Sequence, residues 1–492
     1  MSRKGEIAYV IVGSDKRIWI PDLSRFRQGE GRLKGLRCIH THLRGEPLSQ
    51  EDITDMLLLG LDLMACVRVG DQGMPGAICY ANILPHGRGV RGWEENRAAD
   101  IGQLELDFIE KIYSIEDELA RVRTGRSVRG REKAVLIGVT TGPRWSGEQR
   151  LDELEDLARS DGIDVAGRHL QQVKNGGSSL LIGKGKLSEL SLECIQTGSN
   201  LLIFDNDLSP AQVRSLTDIT ELKIIDRTQL ILDIFARRAV TREGKIQVEL
   251  AQFKYLLPRL ATKNTAMSRL TGGIGGRGPG ETKLEINRRR VYSRIAKLNR
   301  ELASIRRQRK DRRRLRKDRG LPVISIVGYT NAGKSTLLNA MTRSRVNVGN
   351  RLFETLDPSS RRLRFPRERE AIITDTVGFI RDIPESLMDA FEATLEELND
   401  ADLLLHVVDS TSPLLEVHLE TVEKILARLG LGDIPRLLVL NKSDLIPAEQ
   451  ARNFSIKMGG IATSAISPPS LYGLLSEIES FIWPPGRTNR RT

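Results

Sequence analysis

The stretch VISIVGYTNAGKS, residues 323–335, leaves the surrounding chain little freedom in how it folds. An apolar run that stops at Gly328 reads as a buried strand, and the spacing Gly328-x4-Gly333-Lys334-Ser335 turns the chain sharply into a helix. A strand buried on both faces and followed at once by a helix belongs in a parallel sheet with crossover helices. Further apolar runs at 371–374, 403–409 and 436–440 alternate with amphipathic helices. Residues 321–485 are therefore expected to form a doubly wound α/β domain. Glycines at this spacing let backbone amides wrap phosphates at the positive end of the helix. Lys334 would then reach the outer phosphates, and the Ser335 hydroxyl would ligate Mg²⁺.

Three more boxes follow in order. Asp375-Thr376-Val377-Gly378 closes the run at 371–374. Asp375 is expected to hold Mg²⁺ through water, and the Gly378 amide to meet a γ-phosphate. Asn441, Lys442 and Asp444 follow the run at 436–440. A carboxylate there accepts two hydrogen bonds from the N1 and N2 edge of guanine, a donor pair adenine lacks, so GTP is the expected substrate. Ser464 and Ala465 are placed to approach the guanine O6. Thr355, within NRLFETLDPSSR, is the threonine expected to close on Mg²⁺ and the γ-phosphate, ahead of Thr342, Ser359 and Ser360. Catalysis is thus assigned to Lys334, Thr355 and Gly378. Phe379 stands where Ras-type proteins carry the glutamine that orients the attacking water. It reads as a buried packing residue, and slow intrinsic turnover follows, with a partner or a reorganised switch segment completing the site.

Upstream, the periodicity changes twice. From Ala134 to Arg238 short apolar runs (AVLIGVTT, SLLIG, NLLIFDN, KIIDR) alternate with helices at 151–159, 186–196 and 210–219, which predicts a small α/β domain over 131–243. Ile246, Leu250, Phe253 and Leu257, and then Val291, Ile295, Leu298, Leu302 and Ile305, step by fours and threes. Each set makes an apolar seam that needs a partner, so 244–320 is expected to be an antiparallel helical hairpin, tipped by the Gly-rich loop Gly272 to Gly280. Residues 1–130 read as a further α/β domain, with IAYVIVG and WIPDL as strands, helical spacing from Asp52 to Cys66, an apolar run from Ala77 to Leu84 and a loop from Gly87 to Ala99. Residues 486–492 are a loose tail.

Charge is segregated. Arg288 to Arg319 holds 16 Lys or Arg against 3 Asp or Glu, so a chain of net charge +12 carries +13 there and about −1 elsewhere. With aromatics at only 4%, a base-stacking platform is excluded in favour of a phosphate-backbone partner. No run reaches about 18 uncharged apolar residues, since Met56 to Val67 is broken by Asp62, so no membrane span is expected. The N-terminus lacks a signal-peptide cleavage pattern, and Cys38, Cys66, Cys79 and Cys194 are too scattered for a disulfide framework. The expectation is a cytoplasmic monomer, peripheral to a membrane at most.

The segments GYTNAGKST, LFETLDPSSR, DTVGFIRDIPESLMDAFEATLEE and NKSD resemble the HflX family of translation-factor-related GTPases. LLIGKGKLSEL, LIFDNDLSPAQ, DRTQLILDIFARRA, EGKIQVELAQFKYLLPRL and GGIGGRGPGETKLE are similar too, and the likeness spans about residues 134–485, roughly 70% of the chain. It implies a GTPase that binds the large ribosomal subunit and its rRNA and separates stalled or idle ribosomes. A large-subunit assembly factor and a nucleotide-stabilised rRNA scaffold are the alternatives. It further implies nucleotide contacts from Gly328, Tyr329, Thr330, Asn331, Ala332, Gly333, Lys334 and Ser335. Others fall on Phe353, Glu354, Thr355, Leu356 and Asp357, on Asp375 to Gly378, on Asn441, Lys442, Ser443 and Asp444, and on Ser464, Ala465 and Ile466. Mg²⁺ would be held by Ser335 and Thr355. Ile466 stands where many GTPases have lysine. GKGK at Gly183 to Lys186 is too poor in glycine to cradle a second triphosphate.

Residues 1–130 hold one constellation outside that likeness. His40 and His42 lie two apart, with Ser49 and Asp52 downstream and Glu6 earlier. His-x-His on a strand puts both imidazoles on one face, and a downstream Asp can complete a zinc site with an open position. The pattern is similar to the metal site of JAMM-type metallopeptidases. It departs from it at Leu43, where proline is usual, and in a spacing to Ser49 that is one short. It reads as a degenerate relative of that site or as an unrelated domain with two polar histidines, and no metal is assigned to it.

Overall fold

The computed structural model describes residues 1–14, 18, 20, 21, 23, 26, 33–70, 73–85, 92–104, 106–124, 132–173, 181–220, 222–263, 283–317, 321–342, 352, 353, 359–365, 369–381, 388 and 396–484. The chain divides into two compact units, Met1–Leu230 and Ile231–Thr492.

The first unit carries two sheets. One has the order β1-β2-β3-β4, from Arg37–His42, Leu63–Val69, Pro75–Ile83 and Trp93–Ala98. β1 and β2 run parallel and the other pairs antiparallel. Helix α1 (Gln50–Leu59) makes the crossover between β1 and β2. It starts at Ser49, whose hydroxyl accepts from the Asp52 amide, and stops where Gly60 turns left-handed at φ 61°. That stop divides the expected helical spacing of Asp52 to Cys66 into a helix and a strand. Met56, Met64, Ala81 and Ile83, with Ile112 and Leu119 of α2 (Phe108–Thr124), form the core.

Two readings of this region need correction. Ile7 to Gly13 is not a buried strand: Val10 is 84% and Val12 95% exposed. An apolar run becomes a strand only where a neighbour accepts its backbone hydrogen bonds, and this one enters no sheet among the described residues. Conversely, the expected loop from Gly87 to Ala99 contains β4, which pairs Trp93 with Ile83 and Ala98 with Ile78. WEENRA is polar because it forms an edge strand, so hydropathy alone passes over it.

The second sheet is wholly parallel, in the order β6-β5-β7-β8, from β5 (Lys133–Thr140), β6 (Asp164–Gln172), β7 (Leu201–Phe204) and β8 (Lys223–Asp226). Helices α3 (Arg144–Ser160), α4 (Lys184–Thr197) and α5 (Pro210–Thr217) connect the strands. The strand expected at SLLIG is instead β6, the polar edge segment DVAGRHLQQ, while Leu181 and Ile182 form a bend leading into α4. Leu192 and Ile195 of α4 pack on the core of the first sheet, and the Gln196 side chain donates to the Leu84 carbonyl at 3.0 Å. Helix α6 (Arg227–Arg238) follows β8 directly.

In the second unit α7 (Arg242–Lys263) and α8 (Lys283–Lys317) pack along the expected seam. Ile246, Leu250, Phe253, Ile295, Leu298, Leu302 and Ile305 form one cluster. The Arg294 guanidinium grips Glu249 with two bonds, of 2.7 and 2.9 Å. The Gly-rich loop lies outside the described residues. α8 spans 35 residues, about 52 Å at 1.5 Å per residue.

The last domain is a six-stranded sheet, β10-β11-β9-β12-β13-β14. Its strands are β9 (Val323–Gly328), β10 (Ser359–Arg364), β11 (Glu370–Asp375), β12 (Leu403–Asp409), β13 (Arg436–Asn441) and β14 (Ile461–Ala462). All pairs are parallel except β10 with β11. Helices α9 (Lys334–Thr342), α10 (Leu415–Arg428), α11 (Ala448–Met458) and α12 (Pro468–Ile482) complete the doubly wound fold. No helix of the described residues is long and apolar enough to cross a membrane.

Leu298 is almost fully buried in the α7–α8 seam. Replacing it by alanine should lower stability by about 2–5 kcal/mol, measured by denaturant unfolding. A loss within about 0.5 kcal/mol, the range of an ordinary surface substitution, would mean that the seam is not packed.

Candidate nucleotide-binding site

All four boxes converge at the carboxyl ends of β9, β11 and β13, where ligands bind in open α/β sheets. Gly328 ends β9 with φ +154°, and a Cβ there would lie 2.2 Å from the Val407 carbonyl oxygen of β12. Only glycine allows that approach. Asn331 is left-handed at φ 60° and Gly333 at φ 89°, which curls the loop back over the start of α9. Lys334 is buried, and its ammonium donates to the Tyr329 carbonyl at 2.7 Å. Burial pulls this ammonium down to about 8, although Asp375 works to raise it. Ser335 Oγ donates to Asp375 Oδ2 at 2.7 Å. These hard oxygens, one in the first turn of α9 and one at the end of β11, are the donor type that Mg²⁺ prefers.

The DTVG segment lies directly against this loop. The Thr330 amide donates to the Phe379 carbonyl at 2.8 Å, and the Phe379 amide to the Gly328 carbonyl at 3.1 Å. Thr376 Oγ1 donates to the Ile326 carbonyl, and Val377 is buried. A Cβ on Gly378 would stand 2.8 Å from Thr330 Cγ2 and 2.9 Å from Lys334 Nζ. The Phe379 ring is 2% exposed, as expected of a packing residue, and faces no water.

At the far end Asn441 is buried and bonded on both sides. Its Nδ2 donates to the Ala332 carbonyl at 2.8 Å, and its Oδ1 accepts from the Ala465 amide at 3.0 Å. Lys442 is left-handed at φ 62°, and its ammonium meets Asp409 Oδ2 at 2.6 Å. The Ser443 amide donates to the Thr463 carbonyl. Asp444 is exposed on a single 3₁₀ turn, its carboxylate available to a ligand. The Ser464 amide is held by Ser470 Oγ, and Ile466 is exposed.

Phe353 is left-handed at φ 57° and packs edge-on against Phe235 of α6, ring centres 4.6 Å apart. Glu354, Thr355, Leu356 and Asp357 lie outside the described residues. Sequence reasoning missed two participants. Asp409 ends β12 and anchors Lys442; an aspartate closing an apolar strand was the available signal. His418 of α10 stacks on the Tyr329 ring, centroids 3.9 Å apart and 11° from parallel, and no motif marks it. In the first unit, the glycines of GKGK have no neighbour within 4 Å of a Cβ, so no close approach demands them. His40, His42 and Asp52 are drawn together there, while Glu6 lies exposed in irregular chain.

Three family descriptions match in succession: "GTP-binding GTPase N-terminal" over residues 148–236, "GTP-binding GTPase Middle Region" over 238–316, and "50S ribosome-binding GTPase" over 323–442. A protein named GTPase HflX from Caldanaerobacter subterraneus is 48% identical over 318 residues, 65% of this chain and 74% of that one. Its namesake from Escherichia coli is 44% identical over 315 residues, 64% and 74% of the two chains. The solved structure of a GTP-binding protein from Sulfolobus solfataricus with GDP is 26% identical. That likeness covers 70% of this chain and 99% of that one, at a TM-score of 0.40.

The depressed Lys334 ammonium gives nucleotide binding a pH signature. Phosphate oxygens favour its charged form, so above about pH 8 binding takes up a proton, and below it none. Affinity for GDP should be flat below pH 8 and fall by up to about tenfold per unit above it. Titration calorimetry in buffers of different ionisation enthalpy reads the proton directly, and constant affinity with no proton uptake between about pH 8 and 9.5 would contradict the reading.

Proposed function

The chain belongs to the HflX family of GTPases, and from that premise we propose that it couples GTP binding and hydrolysis to docking on the large ribosomal subunit and to the separation of stalled or idle ribosomes. The observation that carries this reading is the pairing of the guanine-nucleotide motifs gathered at the ends of β9, β11 and β13 with one strongly basic helix. The description "50S ribosome-binding GTPase" over 323–442 points the same way.

In this reading the amides of 328–335 and the Lys334 ammonium hold the phosphates. Ser335 and Thr355 would ligate Mg²⁺, with Asp375 behind it; the Ser335–Asp375 oxygen pair fits such an ion. Bound there, the metal neutralises charge on the outer phosphates. Asp444 selects guanine, and Lys442, pinned by Asp409, covers the face of the base. The Gly378 amide meets the γ-phosphate only after the Thr330–Phe379 pairing opens. Since Phe379 is buried and has no polar atom, the attacking water must be oriented by backbone or by a partner, which makes the isolated enzyme slow. The basic run from Arg288 to Arg319, most of it in α8, would neutralise rRNA phosphates. Release of the switch segments on hydrolysis loosens that grip.

The direct test is GTP turnover alone, with isolated large subunits and with intact ribosomes at matched salt, alongside light scattering for subunit separation. Turnover should rise sharply with the large subunit, and scattering should fall when GTP is added to idle ribosomes. Slow turnover indifferent to every ribosomal species would overturn the coupling. Stimulation by the large subunit with no loss of intact ribosomes would leave an assembly role in its place.

Asp444→Asn turns one of two hydrogen-bond acceptors into a donor. It should weaken GTP binding by about 2 kcal/mol or more and favour xanthine nucleotides, whose C2 oxygen accepts where guanine donates. Unchanged preference for guanine in competition binding would remove Asp444 from the base contact.

A further inference from the structure

We propose that His40, His42 and Asp52 form a binding site for one zinc ion, with a coordination position left open toward solvent. The site lies wholly in the first compact unit and shares no residue with the nucleotide machinery.

The local chain delivers the three groups. β1 is extended, so residues two apart point the same way, and His40 and His42 share a face. Asp52 sits in the first turn of α1 and cannot wander. Its Oδ2 accepts from the Ser49 amide and the Ser49 hydroxyl, each at 2.7 Å, while its own amide donates to Ser49 Oγ at 3.1 Å. The cap that starts the helix thus also aims the carboxylate at the strand.

The resulting spacing is that of a coordination shell. His40 Nε2 lies 3.0 Å from His42 Nε2 and 3.3 Å from Asp52 Oδ1, and His42 Nε2 lies 3.6 Å from Asp52 Oδ2. A tetrahedral zinc with bonds of about 2.0–2.1 Å has ligand-to-ligand edges of about 3.3 Å. The two edges at His40, 3.0 and 3.3 Å, lie close to that value, and with one ligand atom from each residue all three atoms fall within 4.8 Å of one another. A bridging hydrogen bond accounts for one short edge, but it does not bring a third group to the same distance from both rings.

Protonation agrees. His42 Nδ1 lies 3.0 Å from the Glu46 carbonyl, which can only accept, so Nδ1 carries the proton and Nε2 presents its lone pair to the cluster. A ring whose second nitrogen is pinned to a backbone carbonyl is the usual outer shell of a histidine ligand. Among the described residues nothing bonds to His40 Nδ1, so its tautomer is not committed elsewhere.

The donor set narrows the ion. Two imidazoles and one carboxylate suit zinc, and Fe²⁺ accepts the same set, whereas Mg²⁺ and Ca²⁺ take oxygen. Among the described residues no fourth His, Cys, Asp or Glu joins the group. His42 and Asp52 are partly exposed, which leaves a way in and room for water or another oxygen or nitrogen ligand. Three protein ligands and an open position make up the arrangement of zinc sites that act on a bound molecule rather than hold a fold together.

The full-length chain, stripped with a chelator, reloaded with Zn²⁺ and gel-filtered, should retain one zinc per chain by elemental analysis. Loss of an outer-shell partner alone lowers metal affinity about 10–100-fold, so His42→Gln should lose the ion at least that readily, with GTP turnover unchanged. Co²⁺ loaded into the unsubstituted chain supplies a readout that needs no variant: strong visible bands of a tetrahedral site are expected. Absence of stoichiometric zinc, weak octahedral cobalt bands, or zinc held equally by His42→Gln would each overturn the assignment.

Discussion

A single buried amide holds the candidate nucleotide site in shape. Asn441 donates to the Ala332 carbonyl of the phosphate loop and accepts from the Ala465 amide of the loop after β14. Three segments distant in sequence thus share one side chain that has both a donor and an acceptor. A carboxylate of the same size has no donor for the Ala332 carbonyl. The same amide forbids a side chain at residue 333, where a Cβ would approach Asn441 Nδ2 to 2.3 Å. The glycine of one motif and the asparagine of another are therefore a single constraint, although they stand 108 positions apart. Because the amide is 1% exposed, its bonds face no competition from water.

What could be read from the sequence divides along physical lines. The last domain was legible because its strands are buried on both faces, and its loops need glycine or left-handed residues at fixed spacings. The hairpin was legible because two unpartnered apolar seams of matching length have few other solutions. The misses fall on strands whose hydrophobicity reports edge position or exposure. β4 and β6 are polar because each lies at a sheet edge, and Ile7 to Gly13 is apolar without being buried. Asp409, marked only by its place at the end of an apolar strand, and His418, marked by nothing, were missed for another reason. Each works through a partner, Lys442 or Tyr329, that only the tertiary fold brings near. The convergence of His40, His42 and Asp52 lay between these cases: the spacing suggested it, while the departures at Leu43 and Ser49 argued against it, and the α1 cap settles where Asp52 points.

Charge and packing are kept apart in the hairpin. The buried positions of its seam, Ile246, Leu250, Leu298 and Leu302, are aliphatic, and the ion pairs that flank the seam, Arg294 with Glu249 and Arg242 with Glu301, lie at the surface. Such exposed pairs contribute little to stability. They select which faces meet and in which direction the helices run, while the seam supplies the adhesion. The chain can therefore spend a long run of arginine and lysine beyond the seam without destabilising the core from which it extends.

The close contact between Gly378 and Lys334 bears on how the protein tells its own two ligand states apart. Backbone of the DTVG segment stands beside the same ammonium that a terminal phosphate would seek. In the proposed cycle a diphosphate would leave that neighbour in place. A triphosphate would have to displace it, and with it the Thr330–Phe379 and Phe379–Gly328 bonds. Two nucleotides differing by one phosphoryl group would thereby be separated by the work of unzipping a short stretch of main chain, before any chemistry begins. Anything that holds that stretch open from outside must, by reciprocity, strengthen the grip on the triphosphate by the same factor.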